Sequence, residues 1–383
     1  MAALLAAVLM SLGLLAPPAA ANIRPDQQWY LDAMNASGLW KVTKGEGVTV
    51  AVLDSGVSPT PGLKDKLLPG RSFTSEDSDV HEDATGHGTV MAALIAGSGA
   101  GNTLRGLAPE AKILPLRTHV TNDFFGAHEP LIEALRYAAR SEAKIINISQ
   151  GMTGVTDKNR AALQDAINEA NKRGKLIFAA TGNDGRQAKY VYPAAMPGVV
   201  AVGAVDKTGT VTDLSNYGPH LALTAPGDPG GTSQAAAIAS ASAALIWSKH
   251  PDWTHHQVLR VMIETTGMSE RGEEPSMYLG YGIVRPAQVL VDGDGDPGPA
   301  DKSPLFSKYF ASLEASKSPS PDAEDAKGDA KNPDATDTDS KKNQAQEKSG
   351  SDGLPWVPIG IGAAVLVAAV AVTAVLLAQR RRA

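Results

Sequence analysis

The chain has 383 residues, 43% of them hydrophobic and 20% charged, with a formal net charge of −6. It holds no cysteine, which excludes disulfides, cysteine-ligated zinc and a cysteine nucleophile together. No basic stripe runs along it, so nucleic acid is excluded as a partner class. A hydrophobic core must therefore hold the fold unaided, and a few hundred residues can bury enough to do so.

Taken in chain order, residues 1–21 form an apolar stretch that ends in Pro17-Pro18-Ala19-Ala20-Ala21. Small residues at the −3 and −1 positions mark a secretory signal cleaved after Ala21. Residues 22–291 then alternate short apolar runs with helical ones. Val48–Leu53, Lys112–Arg117, Lys144–Ser149, Lys175–Ala180 and Val199–Val205 are predicted strands. They are nearly continuous in apolar residues, as strands covered on both faces must be. Leu131–Glu142, Lys158–Arg173, Gln234–His250 and Thr254–Thr266 are predicted helices. Strand and helix in alternation give a doubly wound parallel α/β sheet, whose ligands bind beyond the carboxyl ends of the strands.

From Asp292 the composition changes. Fourteen acidic residues stand against eight lysines between Asp292 and Gly353, which accounts for the whole net charge. Such a segment does not offset the entropy of ordering, so residues 292–353 are predicted to be a disordered stalk. Asp292, Asp294 and Asp296 resemble the start of a calcium loop, but the twelfth position is Ser303 rather than Glu. Residues 354–378 are uncharged and span about 37 Å as a helix, enough for a hydrocarbon core of about 30 Å. Arg380, Arg381 and Arg382 follow, so residues 379–383 are expected on the cytoplasmic side and the bulk of the chain outside.

Four short runs carry chemistry. Asp54 directly follows an apolar strand. His87 sits in Gly86-His87-Gly88-Thr89, ahead of a run of small residues. Ser233, in Gly231-Thr232-Ser233-Gln234, opens an alanine-rich helix. Asn183 lies in the turn Thr181-Gly182-Asn183-Asp184-Gly185. Singly, these read as a sheet-edge aspartate, a loop histidine, an N-cap serine and a turn asparagine. As an ordered set they resemble the signature blocks of the subtilase family, in the subtilisin order of Asp, His, Ser. Further matching blocks are Gly106-Leu107-Ala108-Pro109, Asn147 to Gly151, Tyr192-Pro193-Ala194 and Ala225-Pro226-Gly227.

The resemblance implies a subtilisin-like fold and a serine endopeptidase. Ser233 would be the nucleophile, His87 the general base and Asp54 its partner. Asn183 and the Ser233 backbone N–H would form the oxyanion hole. Ser149, Gln150 and Gly151 would line the pocket for the residue before the cleaved bond, and the bond before Pro193 would be cis. Protein or peptide substrates are implied, and no cofactor. Similar enzymes bind structural calcium, but no ligand set in this chain supports a metal site.

Signal, catalytic domain, stalk, membrane helix and basic tail together resemble the mycosins, subtilases associated with type VII secretion. The stretch from Ala21 to Asp54 is too short for a separate inhibitory prodomain. Asn22–Trp40 is instead expected to pack along the domain through Trp29, Tyr30 and Leu31. Four features depart from the pattern: the missing disulfides, Val90, Ala237, and the three residues Asp228-Pro229-Gly230 where a longer loop is usual. The short loop is expected to reshape the cleft beside Ser233. Two roles stay open, an active endopeptidase and a structural partner of a secretion complex with dispensable proteolysis.

Overall fold

The computed structural model describes residues 27–74, 79–121, 128–267 and 275–317. The signal, the membrane span and the basic tail read above lie outside these residues. So does a second unit of the chain, Ser320–Ala383. Among the described residues no helix is long and apolar enough to cross a membrane.

Seven strands form one sheet: β1 Thr49–Asp54, β2 Arg71–Ser72, β3 Lys112–Arg117, β4 Ile145–Ile148, β5 Leu176–Ala180, β6 Val200–Val205 and β7 Leu221–Pro226. Their order is β2-β3-β1-β4-β5-β6-β7, with every neighbouring pair parallel. The five predicted strands are all present. Strands β4 to β7 are buried along their whole length, which is why their sequences lack a polar alternation. β7 has the same apolar character and is not among the predicted strands. β3 and β4 flank β1 on opposite sides, so the winding direction reverses there. The carboxyl end of β1 is thus the place where this topology opens a crevice.

Two apolar layers cover the sheet. Helices α4 (His128–Arg140) and α5 (Asp157–Lys172) pack on one face. The other face holds α3 (His87–Ala96), α6 (Gly231–Lys249) and α7 (His255–Glu264), together with the short α1 (Trp29–Ala33) and α2 (Ala36–Leu39). Helix α6 is buried on every side from Gly231 to Trp247. Its Ala and Ser side chains let β4 to β7 and α3 approach closely, and its buried hydroxyls are satisfied: Ser240 donates to Asn147 Oδ1 (3.1 Å) and Ser242 to Ile238 O (2.8 Å). The described part of the N-terminal segment, from Gln27 on, packs along the domain as expected. Tyr30 is fully buried with its hydroxyl donating to Arg105 O, and Leu31 rests on the core.

Residues 292–317, read from the sequence as the start of a disordered stalk, are ordered, and the rest of that predicted stalk lies outside the described residues. A π-helical turn at Gln288–Asp292 leads into an extended strap, which ends in α8 (Ser307–Lys317). The strap runs antiparallel to α7. Glu264 accepts from Asp296 N–H (2.9 Å), Arg260 donates to Pro297 O (3.1 Å) and Lys302 O (2.6 Å), and Thr254 donates to Ala300 O (2.8 Å). Leu305 packs on the core and Tyr309 donates to Asn168 Oδ1 (3.0 Å). Side chains of the domain bond to several backbone groups of the strap, which a composition count over the strap alone does not register.

Candidate active site

Asp54 is the last residue of β1 and is fully buried. His87 is the first residue of α3, and its Nδ1 lies 2.8 Å from Asp54 Oδ1. Gly88 permits this approach: a Cβ there would stand 2.1 Å from Gly56 O and 3.0 Å from Asp54 Cβ. The same carboxylate oxygen accepts the Ser55 N–H at 2.8 Å. Burial alone would raise the Asp54 carboxyl, but the His87 charge and hydrogen bonds outweigh it and hold the group below the usual carboxylate range. Burial alone would lower His87. The Asp54 charge and hydrogen bond outweigh it and raise the imidazole above its ordinary value.

Behind this pair stands a layer that the sequence reading did not single out. Asp83 Oδ1 accepts from the Ser55 hydroxyl (2.7 Å) and Gly86 N–H (2.9 Å), and its Oδ2 accepts from Thr89 N–H (2.8 Å) and hydroxyl (2.6 Å). The Ser55 hydroxyl in turn accepts from Gly88 N–H (3.1 Å) and the Thr85 hydroxyl (2.7 Å). Asp83 thereby clamps the loop and first turn that carry His87. The signal was present, since Asp83 stands in the same run as His87. On the other side, Thr118 N–H donates to Asp54 O (2.8 Å), and the Thr118 hydroxyl accepts from Gln150 Nε2 (2.8 Å) beside His119 Nδ1 (3.1 Å). Burial holds His119 below the ordinary histidine value, although Asp54 pulls the other way.

Ser233 lies in the first turn of α6, where amides have no carbonyl partner one turn back. Its hydroxyl donates to Ser149 O at 3.0 Å, and the Ser149 hydroxyl donates to Ser233 O at 3.1 Å. Taking up a hydrogen bond to His87 requires the Ser233 proton to leave Ser149 O, as is common before substrate is bound. Asn183 follows β5. Its Oδ1 accepts from Thr232 N–H (2.9 Å) and the Thr232 hydroxyl (3.0 Å), while that hydroxyl accepts from Gly182 N–H (3.1 Å). These donors fix the amide orientation and leave the Nδ2 hydrogens for a ligand. Gly231, at φ 65°, is required here because a Cβ would stand 2.6 to 2.8 Å from the Asn183 amide. Asn216 and Lys189 hold the neighbouring Asp184 at 2.7 Å each, which steadies the turn.

Of the three residues assigned to substrate binding, Ser149 and Gln150 are buried and bonded inward, to Ser233 and Thr118. Gly151 precedes Met152, which exchanges both backbone hydrogen bonds with Tyr192 (2.7 and 3.1 Å). The Tyr192–Pro193 bond is cis, as is Asp228–Pro229. No group of three or more His, Asp or Glu residues that could hold a metal occurs among the described residues.

A catalytic-type dyad at the end of β1, a serine in the first turn of a buried helix and an oriented asparagine meet at one sheet edge. The family model described as Peptidase_S8, the subtilase family, matches residues 45–283. The chain belongs to the subtilase family. It is 31% identical over 276 residues to the minor extracellular protease Epr of Bacillus subtilis, covering 68% of this chain and 41% of that protein. Subtilisin BL of Lederbergia lenta is 34% identical over 227 residues, covering 56% of this chain and 81% of the relative. Among solved structures, MycP1 from the ESX-1 type VII secretion system superposes with a TM-score of 0.62 at 27% identity, over 72% of this chain and 88% of that one.

Proposed function

We infer that this subtilase is a serine endopeptidase acting on protein or peptide substrates, with Asp54, His87 and Ser233 as its triad. The observation that carries this reading is the 2.8 Å Asp54–His87 contact, buried at the same sheet edge as Ser233 and the oriented Asn183 amide. Ser233 Oγ attacks the carbonyl carbon as His87 Nε2 takes its proton. Asp54 holds the Nδ1–H tautomer and stabilises the imidazolium. The Asn183 Nδ2–H and the Ser233 backbone N–H receive the oxyanion. His87 then returns the proton to the leaving amine, and water repeats the cycle on the acyl-enzyme. Ser149 to Gly151 supply the wall beside the acyl group.

The setting extends this reading. The likeness to MycP1 and the sequence pattern of signal, stalk and membrane span support a surface-tethered enzyme working with a type VII secretion complex. Hydrolysis of a panel of extended peptides by the full chain and by Ser233→Ala tests the activity. Cleavage abolished in Ser233→Ala at an unchanged melting temperature is the expected result. Equal cleavage by both would contradict it. If secretion survives Ser233→Ala but not deletion of the protein, the structural role takes precedence over the catalytic one.

A further inference from the structure

The loop that delivers Ser233 to the site is only Gly227 to Gly231 long, and few interactions hold it. Gly227 N–H donates to Val205 O (2.9 Å) and anchors its start. Asp228 and Pro229 are exposed, and Asp228 O accepts from the indole N–H of Trp29 at 2.9 Å, across 199 positions of chain. At the other end, the buried Gly230 N–H donates to Gln234 Oε1 at 3.0 Å. Gly230 caps helix α6 without a side chain of its own, so the glutamine reaches back from the first turn to satisfy the cap amide.

Gln234 is an unusual choice for its place. It is fully buried, in a helix packed mainly with Ala, Ser and Ile, and its Nε2 has no hydrogen-bond partner among the described residues. An unsatisfied buried donor is costly, and an apolar side chain would avoid it. What the amide supplies is the acceptor for Gly230, and the donating Gly230 N–H fixes which end of the amide faces it. Trp29 belongs to α1, whose next residue, Tyr30, is fully buried and tied to Arg105 O. The indole therefore projects onto the loop from a fixed base.

We propose that Trp29 and Gln234 are positioning residues for Ser233, holding from outside and from within a loop too short to hold itself. The N-terminal segment is then part of the catalytic apparatus. This rests on Ser233 being the nucleophile, and the misplacement of a reacting atom acts on the chemical step more than on binding.

The test compares Trp29→Phe with Trp40→Phe. Both remove an indole N–H from the same N-terminal segment, since Trp40 donates to Leu107 O at 2.9 Å, but only Trp29 touches the loop. Amide exchange over residues 227–234 is expected to quicken in Trp29→Phe and not in Trp40→Phe. Peptide hydrolysis is expected to lose about fivefold in kcat at unchanged KM, the size of one hydrogen bond. Gln234→Met, which keeps the volume and removes the acceptor, is expected to show the same exchange and kcat signature. Identical exchange and kcat in the Trp29 and Trp40 variants, or a change confined to KM, would overturn the proposal. Exchange reads the tether without turnover. A wild type with no proteolysis therefore refutes the proposed activity alone, while unchanged exchange in Trp29→Phe refutes the positioning role alone.

Discussion

The two edges of the sheet are built on opposite principles. At the carboxyl edge, polar side chains bond to each other: Asp54 with His87, Asp83 with Ser55 and Thr89, Thr232 with Asn183. Near the opposite edge, where α7 begins beside Gly174, side chains reach to backbone instead. Thr254, Gln257 and Arg260 saturate carbonyls of the strap, and aromatic rings fill the remaining space. The first arrangement holds charge at a chosen point and costs stability. The second holds a chain in place and does no chemistry.

That contrast fails if variants at the two edges affect the same property. The largest effect is expected from Asp54→Asn, which preserves shape but offers His87 the wrong partner. Its kcat is expected to fall by about 10⁴ with little change in melting temperature. In the wild type, kcat/KM is expected to fall as pH drops through the His87 pKa, because the base must be neutral. Asp54 raises that pKa, so the inflection lies above the ordinary histidine value and moves down in Asp54→Asn. Asn183→Ala removes an oxyanion donor and is expected to cost about 10² to 10³ in kcat at nearly constant KM. Thr232→Val breaks the hydroxyl bridge between Gly182 and Asn183 and is expected to cost about tenfold in kcat, through a misoriented amide.

The strap should behave in the opposite way. Arg260→Ala strips two carbonyl contacts and is expected to destabilise the domain by about 1–2 kcal/mol in chemical denaturation, leaving kcat as it was. A further effect, read against pH rather than at one pH, concerns His255 at the start of α7. Burial, then the neighbouring His256, pushes its pKa down to about 3. The unfolded chain takes up a proton there at an ordinary histidine pKa and the folded chain does not. Stability is therefore lost as pH falls from the ordinary value toward 3, and His255→Asn is expected to flatten that slope in pH-resolved melting curves.

The proposed site residues Asp54, His87, Asn183 and Ser233 each stand at a strand or helix end or in the turn just beyond one, in short runs that the sequence alone marks out. Asp83, Ser55 and Thr232 stood in the same runs, but their partners lie on other elements and only the fold brings them together. The strap was misread for a different reason. Its own composition is polar and acidic, and the groups that order it, Arg260, Thr254 and Gln257, belong to another helix. Leu305, Phe306, Tyr309 and Phe310 were the available signal. The tether from Trp29 to Asp228 spans nearly two hundred residues, and no local pattern encodes it.

Covalent labelling with a fluorophosphonate, read by mass spectrometry of the peptide containing Ser233, tests the central claim most directly. One label per folded chain is expected, on Ser233, lost in His87→Ala and greatly slowed in Asn183→Ala. A folded wild type that takes up no label, or takes it up on another residue, would contradict the triad.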